Sequence, residues 1–308
     1  MTRKPILLLI KGIAMGAADV VPGVSGGTIA FITGIYEELL STIANINIGL
    51  LKTLKKEGVV SFWKAINGSF LVPLFAGIAL SILSLAHAVT YAIDNYPLLV
   101  WGFFFGLIIA SIIIIGKSIS HWRLSAIVSL ITGAGIAFWI TLLNPGQGST
   151  QLWYIFLSGL LAICAMILPG ISGAFILLLM GSYHLVLGAI KNFELITLVT
   201  FAAGCVTGLL SISKLLAWAF KNFNNLIISL LTGFLIGSLN KVWPWKQTIS
   251  TRINSHGAEV PFIQSNVSPF NYQNLIGENQ LIAVIGMALF GILLVLGLEY
   301  FGTKWSKK

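Results

Sequence analysis

Two stretches of this chain break the pattern of everything around them. "PGVSGGTIAFITGIYEELL" (22–40) and "PGISGAFILLLMGSYHLVL" (169–187) put proline, glycine and serine inside otherwise apolar sequence. They align 147 residues apart, pairing Pro22 with Pro169, Gly23 with Gly170, Ser25 with Ser172, Gly26 with Gly173, Gly34 with Gly181 and Tyr36 with Tyr183. Proline lacks an N–H and clashes with the preceding turn, so each stretch ends one helix and lets another begin. In water such a run is a surface loop. Here it is flanked by "PILLLIKGIAMGAA" and "TIAFITGIY". In lipid, irregular backbone survives only where protein encloses it or it lines a wet cavity. The fold therefore has to be built around two breaks.

That the solvent is lipid follows from composition. Of 308 residues, 57% are hydrophobic and 9% charged, against about 25% charged in a soluble domain. The mean hydropathy is +0.95. This is a polytopic membrane protein. The start, "MTRK" before an apolar stretch, has the look of a secretory signal. Lys11 interrupts that stretch and the duplication ties it to the fold, so it reads as retained. Cys164 and Cys205 lie in apolar segments and read as packing residues rather than a disulfide or metal pair. The net charge of +9 is placed as a membrane protein places it, not as a nucleic-acid binder does.

A spanning helix needs about 20 mostly apolar residues. The uninterrupted candidates are 70–92, 97–116, 122–143, 195–220, 225–240 and 280–301. Two regions, 5–50 and 152–190, are apolar but broken at Pro22 and Pro169. Residues 52–68 read as an amphipathic surface helix, and 241–279 as a long polar loop.

Cytoplasmic loops carry the excess of Lys and Arg. If each broken region returns to the side it came from, only Lys191, Lys241, Lys246 and Arg252 lie outside, leaving 14 of the 18 basic residues inside. If each crosses once, Lys52, Lys55, Lys56, Lys64, Lys117 and Arg123 move outside, and the split becomes 8 inside against 10. The bias favours returning hairpins, without distinguishing re-entrant half-helices from pairs of full spans. Downstream, "FAG" (75–77) aligns with "AAG" (202–204), and Gly106 with Gly233, both 127 apart. Each half is then a hairpin plus three spans, and an odd number of crossings inverts the second copy. The expected fold is an all-α polytopic membrane protein of two inverted-topology repeats, each a broken or re-entrant helical hairpin plus three transmembrane helices. Residues 1–308 form a single integral membrane domain, with 1–145 as the first repeat and 150–308 as the second.

Broken segments at matching positions of inverted repeats point to a transporter's binding site. A helix start leaves N–H groups unpaired and carries partial positive charge, glycines admit a ligand to the backbone, and hydroxyls add donors. Gly23, Ser25, Gly26, Gly27 and Thr28, with Gly170, Ser172 and Gly173, thus make a candidate anion or phosphate cradle. The plainer reading is that the glycines allow tight turns and the serines cap helices. Ionisable groups at membrane depth are costly and tend to be functional. Asp19, Lys11, Glu37 and Glu38 are the candidates for a polar site or for proton or cation coupling. Asp19 also fits a cap on the turn, and Lys11 a snorkelling cation. Met166 stands where a second Asp19 would be, and His184 where a second Glu37 would be. No metal or cofactor motif is present. G-V-S-G also has the form of a serine protease motif, but no histidine recurs in both halves to serve as base.

"MGAADVVPGVSGGTIAFITGIYEELL" (15–40) and "LPGISGAFILLLMGSYHLVL" (168–187) resemble the motifs of a bacterial family once filed under unknown function, the PopT-type flippases of undecaprenyl phosphate. The resemblance runs along the whole chain. It implies a multi-pass protein of the bacterial cytoplasmic membrane that returns undecaprenyl phosphate, or a related polyprenyl phosphate, to the inner leaflet. There the carrier is reused for peptidoglycan and other surface polymers. Both termini are expected in the cytoplasm, with membrane lipids as surroundings, no nucleic-acid partner, no cofactor and the homo-oligomeric state open. The second motif departs from the first, with Ala174 for Gly27 and Phe175 for Thr28, which leaves open which half holds the phosphate. A small-anion transporter is the alternative on the same fold, and an intramembrane protease a more distant one.

Overall fold

The computed structural model describes residues 5–20, 25–47, 49–144, 146–253 and 259–306. α1 (Pro5–Val20) leads into the first break, and two short helices follow it, α2 (Gly26–Ile32) and α3 (Tyr36–Ala44). α4 (Gly49–Ala65) is the expected amphipathic stretch, broken at Gly58, where φ is +83°. α5 (Gly68–Asn95), α6 (Pro97–Lys117) and α7 (Leu124–Leu142) complete the first half. The second half begins with α8 (Leu152–Ile167), and two short helices again follow its break, α9 (Gly173–Leu179) and α10 (Tyr183–Lys191). The joints between the short helices match. Gly34 and Gly181 sit at φ +67° and +66°, a left-handed geometry that glycine adopts without penalty.

α11 (Leu195–Val242) runs for 48 residues. At 1.5 Å per residue that is about 72 Å, more than twice the ~30 Å of hydrocarbon it would cross. It bends where Phe223 leaves helical geometry, at φ −136° and ψ 40°. The bend lies between the expected spans 195–220 and 225–240. α5, α6, α7 and α11 are long and apolar enough to cross a membrane. α9 and α10 form a pair bent by 106°, too sharp for one straight span.

The 241–279 segment departs from the expected loop, and with it the fold departs from purely helical. β1 (Lys246–Ile253) and β2 (Glu259–Asn266) pair antiparallel, from Lys246 opposite Asn266 to Ile253 opposite Glu259. "KQTISTRI" is rich in β-branched residues, which favour a pleated strand. α12 (Pro269–Leu275) and α13 (Leu281–Ser306) close the chain.

α1 lies along α5 and α8 along α11, whereas the last helix of each half packs on the other half, α7 on α11 and α13 on α6. Lipid supplies no hydrophobic drive between helices, so close contact relies on small residues. A Cβ on Gly106 would run into the Ala288 carbonyl, and one on Gly233 into that of Leu130. In the same way Gly291 abuts Phe103, and Gly133 abuts Leu230. Within the halves, Gly12 meets Leu74 as Gly159 meets Phe201, and Gly77 meets Leu9 as Gly204 meets Phe156. α6 is the most enclosed of the four long helices, with 56% of its apolar window buried against 11–28% for the others. The outward faces carry bare side chains such as Leu83, Leu124, Ile196 and Ile282, a surface suited to lipid rather than water.

Candidate functional site

The leading N–H groups of α2 are met within its own half. Ser25 is the N-cap, and its Oγ accepts from the Gly27 N–H at 3.1 Å. The Thr28 N–H donates to the Ser25 carbonyl at 2.9 Å. The Gly26 N–H donates to Asp19 Oδ1 at 2.7 Å, so a carboxylate already sits where the helix dipole favours negative charge. At the other end, Lys11 Nζ donates to the Thr33 carbonyl at 2.6 Å, a cation on the negative pole. Asp19 and Lys11 are therefore a clamp on α2 supplied by α1. The Lys11 side chain is thus turned onto the end of α2.

The same short helix reaches across to the other half. Ser25 Oγ donates to the Met166 carbonyl at 2.8 Å. The Gly170 N–H donates to Thr28 Oγ1 at 2.9 Å, and the Tyr36 hydroxyl donates to the Ile167 carbonyl at 3.1 Å. Two of these bonds meet carbonyls of the last turn of α8, which a helix end leaves without intrahelical partners, and the third meets the N–H just past Pro169. A Cβ on Gly27 would stand 2.5 Å from the Ile167 carbonyl, so only glycine lets the two backbones meet there. The two motifs, far apart in sequence, are one constellation in space. Pro22 and Gly23 of the candidate cradle lie outside the described residues.

The second turn is built differently. Gly170 takes φ +85° and packs against Phe234 and Ser238 of α11. Ser172 is the buried N-cap of α9, yet makes no side-chain cap bond. Gly173 is buried, whereas Ala174 is exposed. Phe175, in the place of Thr28, lies under the Lys241 ammonium, 4.1 Å from its ring centroid.

Glu37 and Glu38 open α3, and with Ser41, Phe220 and Lys221 they line a cavity of about 340 Å³ between α3 and α11. Glu38 Oε1 accepts from Asn67 Nδ2 at 3.4 Å. The carboxylates are thus near the turns but not in them. The described residues bring no three His, Cys, Asp or Glu together as a metal site. Ser25 Oγ faces the Met166 carbonyl and the Gly27 amide.

Tyr36 lies outside the candidate set of the sequence, although it is fully buried and packs on Phe31 and Phe220 with centroids 5.1 and 5.9 Å away. Its recurrence as Tyr183 was the available signal. In the sequence Lys241 and Lys246 count only as loop charges.

Broken helical segments that meet beside helices long enough to span a membrane fit the construction of a membrane transporter. The chain belongs to the undecaprenyl phosphate translocase-like family, whose model matches residues 15–260. It is 48% identical over 296 residues to a polyprenyl-phosphate transporter of Vibrio cholerae, covering 96% of each chain. It is 33% identical over 257 residues to a polyprenyl-phosphate transporter of Staphylococcus aureus, covering 77% of this chain and 85% of the relative. No solved structure matches it.

Proposed function

We propose that this protein is a lipid carrier translocase that moves undecaprenyl phosphate, or a close polyprenyl phosphate, across the bacterial cytoplasmic membrane. The direction we propose is from outer to inner leaflet, where the carrier is reused for peptidoglycan and surface polymers. The observation that carries this reading is the meeting of the two motifs through Ser25–Met166, Thr28–Gly170 and Tyr36–Ile167. It occurs in a chain that matches a polyprenyl-phosphate transporter over 96% of both lengths. Transport rather than catalysis is supported by the hydroxyl partners, none of which is a base.

The proposed mechanism is alternating access between two inverted repeats, 1–145 and 150–308, with both termini cytoplasmic. The duplication is supported by the glycine contacts, because Gly106–Ala288 and Gly291–Phe103 recur as Gly233–Leu130 and Gly133–Leu230, and the inversion by the odd number of crossings expected in each half. The phosphate binds at the facing turns, to Gly23, Ser25, Gly26, Gly27 and Thr28 and to Gly170, Ser172 and Gly173, while the polyprenyl tail remains in lipid. In the conformation described, several of these groups satisfy one another. An arriving phosphate competes for the Ser25 hydroxyl and the Gly170 N–H, and so loosens the contact between hairpins. Asp19, Glu37 and Glu38 are the proposed proton- or cation-coupling groups, and no cofactor takes part.

The test is leaflet-resolved transport of the phosphorylated carrier in vesicles, comparing wild type with Ser25→Trp and Ser172→Trp. Transport should fall at least tenfold in both variants. Unaltered transport in both would remove the turns from the mechanism.

A further inference from the structure

The end of α11 carries a feature that the turns do not need. Lys246 is the first residue of β1, outside the spanning helices, and an unconstrained lysine there would extend into water. Instead its ammonium folds back over the Trp101 ring of α6, 3.7 Å from the centroid, and donates to the Lys241 carbonyl at 2.7 Å. The Lys241 ammonium rests on Phe175 of α9 at 4.1 Å. Two cations are thus gathered on aromatic faces, and among the described residues no carboxylate balances either one. Ring faces return only part of the lost hydration of an ammonium. Burial first, and then the charge of Lys241, push the Lys246 ammonium well below the ordinary lysine range. An anion between them would relieve both penalties.

The surroundings suit an amphiphile. Trp243 and Trp245 meet edge-on with centroids 5.5 Å apart, and their indole N–H groups are fixed on the carbonyls of Val267 and Asn279. On a neighbouring face of the same last turn lies a cavity of about 410 Å³, walled by Phe105, Phe138, Ile236, Leu239 and Trp243. Asn240 and Asn266 complete its wall, with Asn266 Nδ2 donating to Asn240 Oδ1 at 2.9 Å. The first half has no counterpart: the residue 127 positions before Lys241 is Ile114, and Thr28 stands in place of Phe175.

We propose that Lys241 and Lys246 form a capture site for a phosphomonoester head group at one face of the membrane only, with the adjoining apolar cavity taking the first isoprene units. Resting on the function proposed above, this places the site on the outer side, ahead of the turns.

The experiment uses the full chain in phosphatidylcholine nanodiscs. The reactivity of Lys241 and Lys246 toward an amine-directed reagent is read by peptide mass spectrometry. It is measured without ligand, with undecaprenyl phosphate, with inorganic phosphate and with phosphatidylglycerol, a phosphodiester. Undecaprenyl phosphate should protect both lysines at least fivefold, inorganic phosphate less, and phosphatidylglycerol not at all. Lys241→Gln combined with Lys246→Gln should weaken undecaprenyl phosphate binding by about tenfold or more, with Lys→Arg at both positions restoring most of it. Equal modification with and without every phosphate overturns the site, whether or not the glutamine variant folds. Protection by inorganic phosphate in a protein that does not move undecaprenyl phosphate keeps the anion site and overturns the functional reading instead.

Discussion

α2 and α9 occupy equivalent places after the two breaks, yet one is locked and the other is open. α2 buries its first five residues, has all three leading N–H groups met, and is clamped at both poles by Asp19 and Lys11. α9 buries only Gly173, and among the described residues no side chain caps its first turn. The differences that bear on this are Met166 for Asp19, Ser158 for Lys11, Ala174 for Gly27 and Phe175 for Thr28. The lesson is that a duplicated motif need not give a duplicated role. The first copy is fixed at both poles, and the second leaves Ala174 exposed beside its buried cap.

The largest effect that would expose this contrast is at Gly27. Gly27→Val drives side-chain atoms into the Ile167 carbonyl, and overpacking of this kind costs about 3 kcal/mol or more. Ala174→Val, its counterpart, should cost less than about 0.5 kcal/mol because Ala174 is exposed. Thermal unfolding of the two variants in detergent decides between them, and equal losses would end the distinction. Next comes Thr28→Val, which keeps the shape but orphans the Gly170 N–H at a cost of about 1–3 kcal/mol. Hydrogen exchange at Gly170 should rise with it.

Asp19→Asn retains an acceptor for Gly26 but loses the charge, worth about 1 kcal/mol at a helix start. Its transport should also lose its response to a proton gradient, and an unchanged response would reduce Asp19 to a cap. The smallest effect is expected for Lys11→Met, about 0.5–1 kcal/mol, seen as fraying of the last turn of α2 rather than as global unfolding.

Much of the architecture was written in local pattern. Pro22 and Pro169 announced the breaks, and the apolar runs 97–116 and 122–143 became α6 and α7 nearly residue for residue. The candidate site was legible as a set of residues but not as a set of bonds. Nothing near Ser25 reveals that its hydroxyl reaches Met166, because that contact exists only once two distant hairpins are packed. The β1–β2 hairpin was hidden by its polarity, although the Thr and Ile of "KQTISTRI" carried the signal. Lys246 misled for a simpler reason: charge counting assigns a residue to a side of the membrane and is blind to which way its side chain turns.

The reciprocal packing of α7 on α11 and α13 on α6 bears on how the chain is made. α7 is synthesised before the part of α11 it rests on, with the whole second hairpin between them. At ordinary elongation rates that interval is on the order of ten seconds, during which the face of α7 carrying Gly133 has only lipid or a chaperone to meet. Neither half can be finished alone, so a ribosome that stalls between the two copies leaves a product whose defect is the absence of a partner rather than any error in its own sequence.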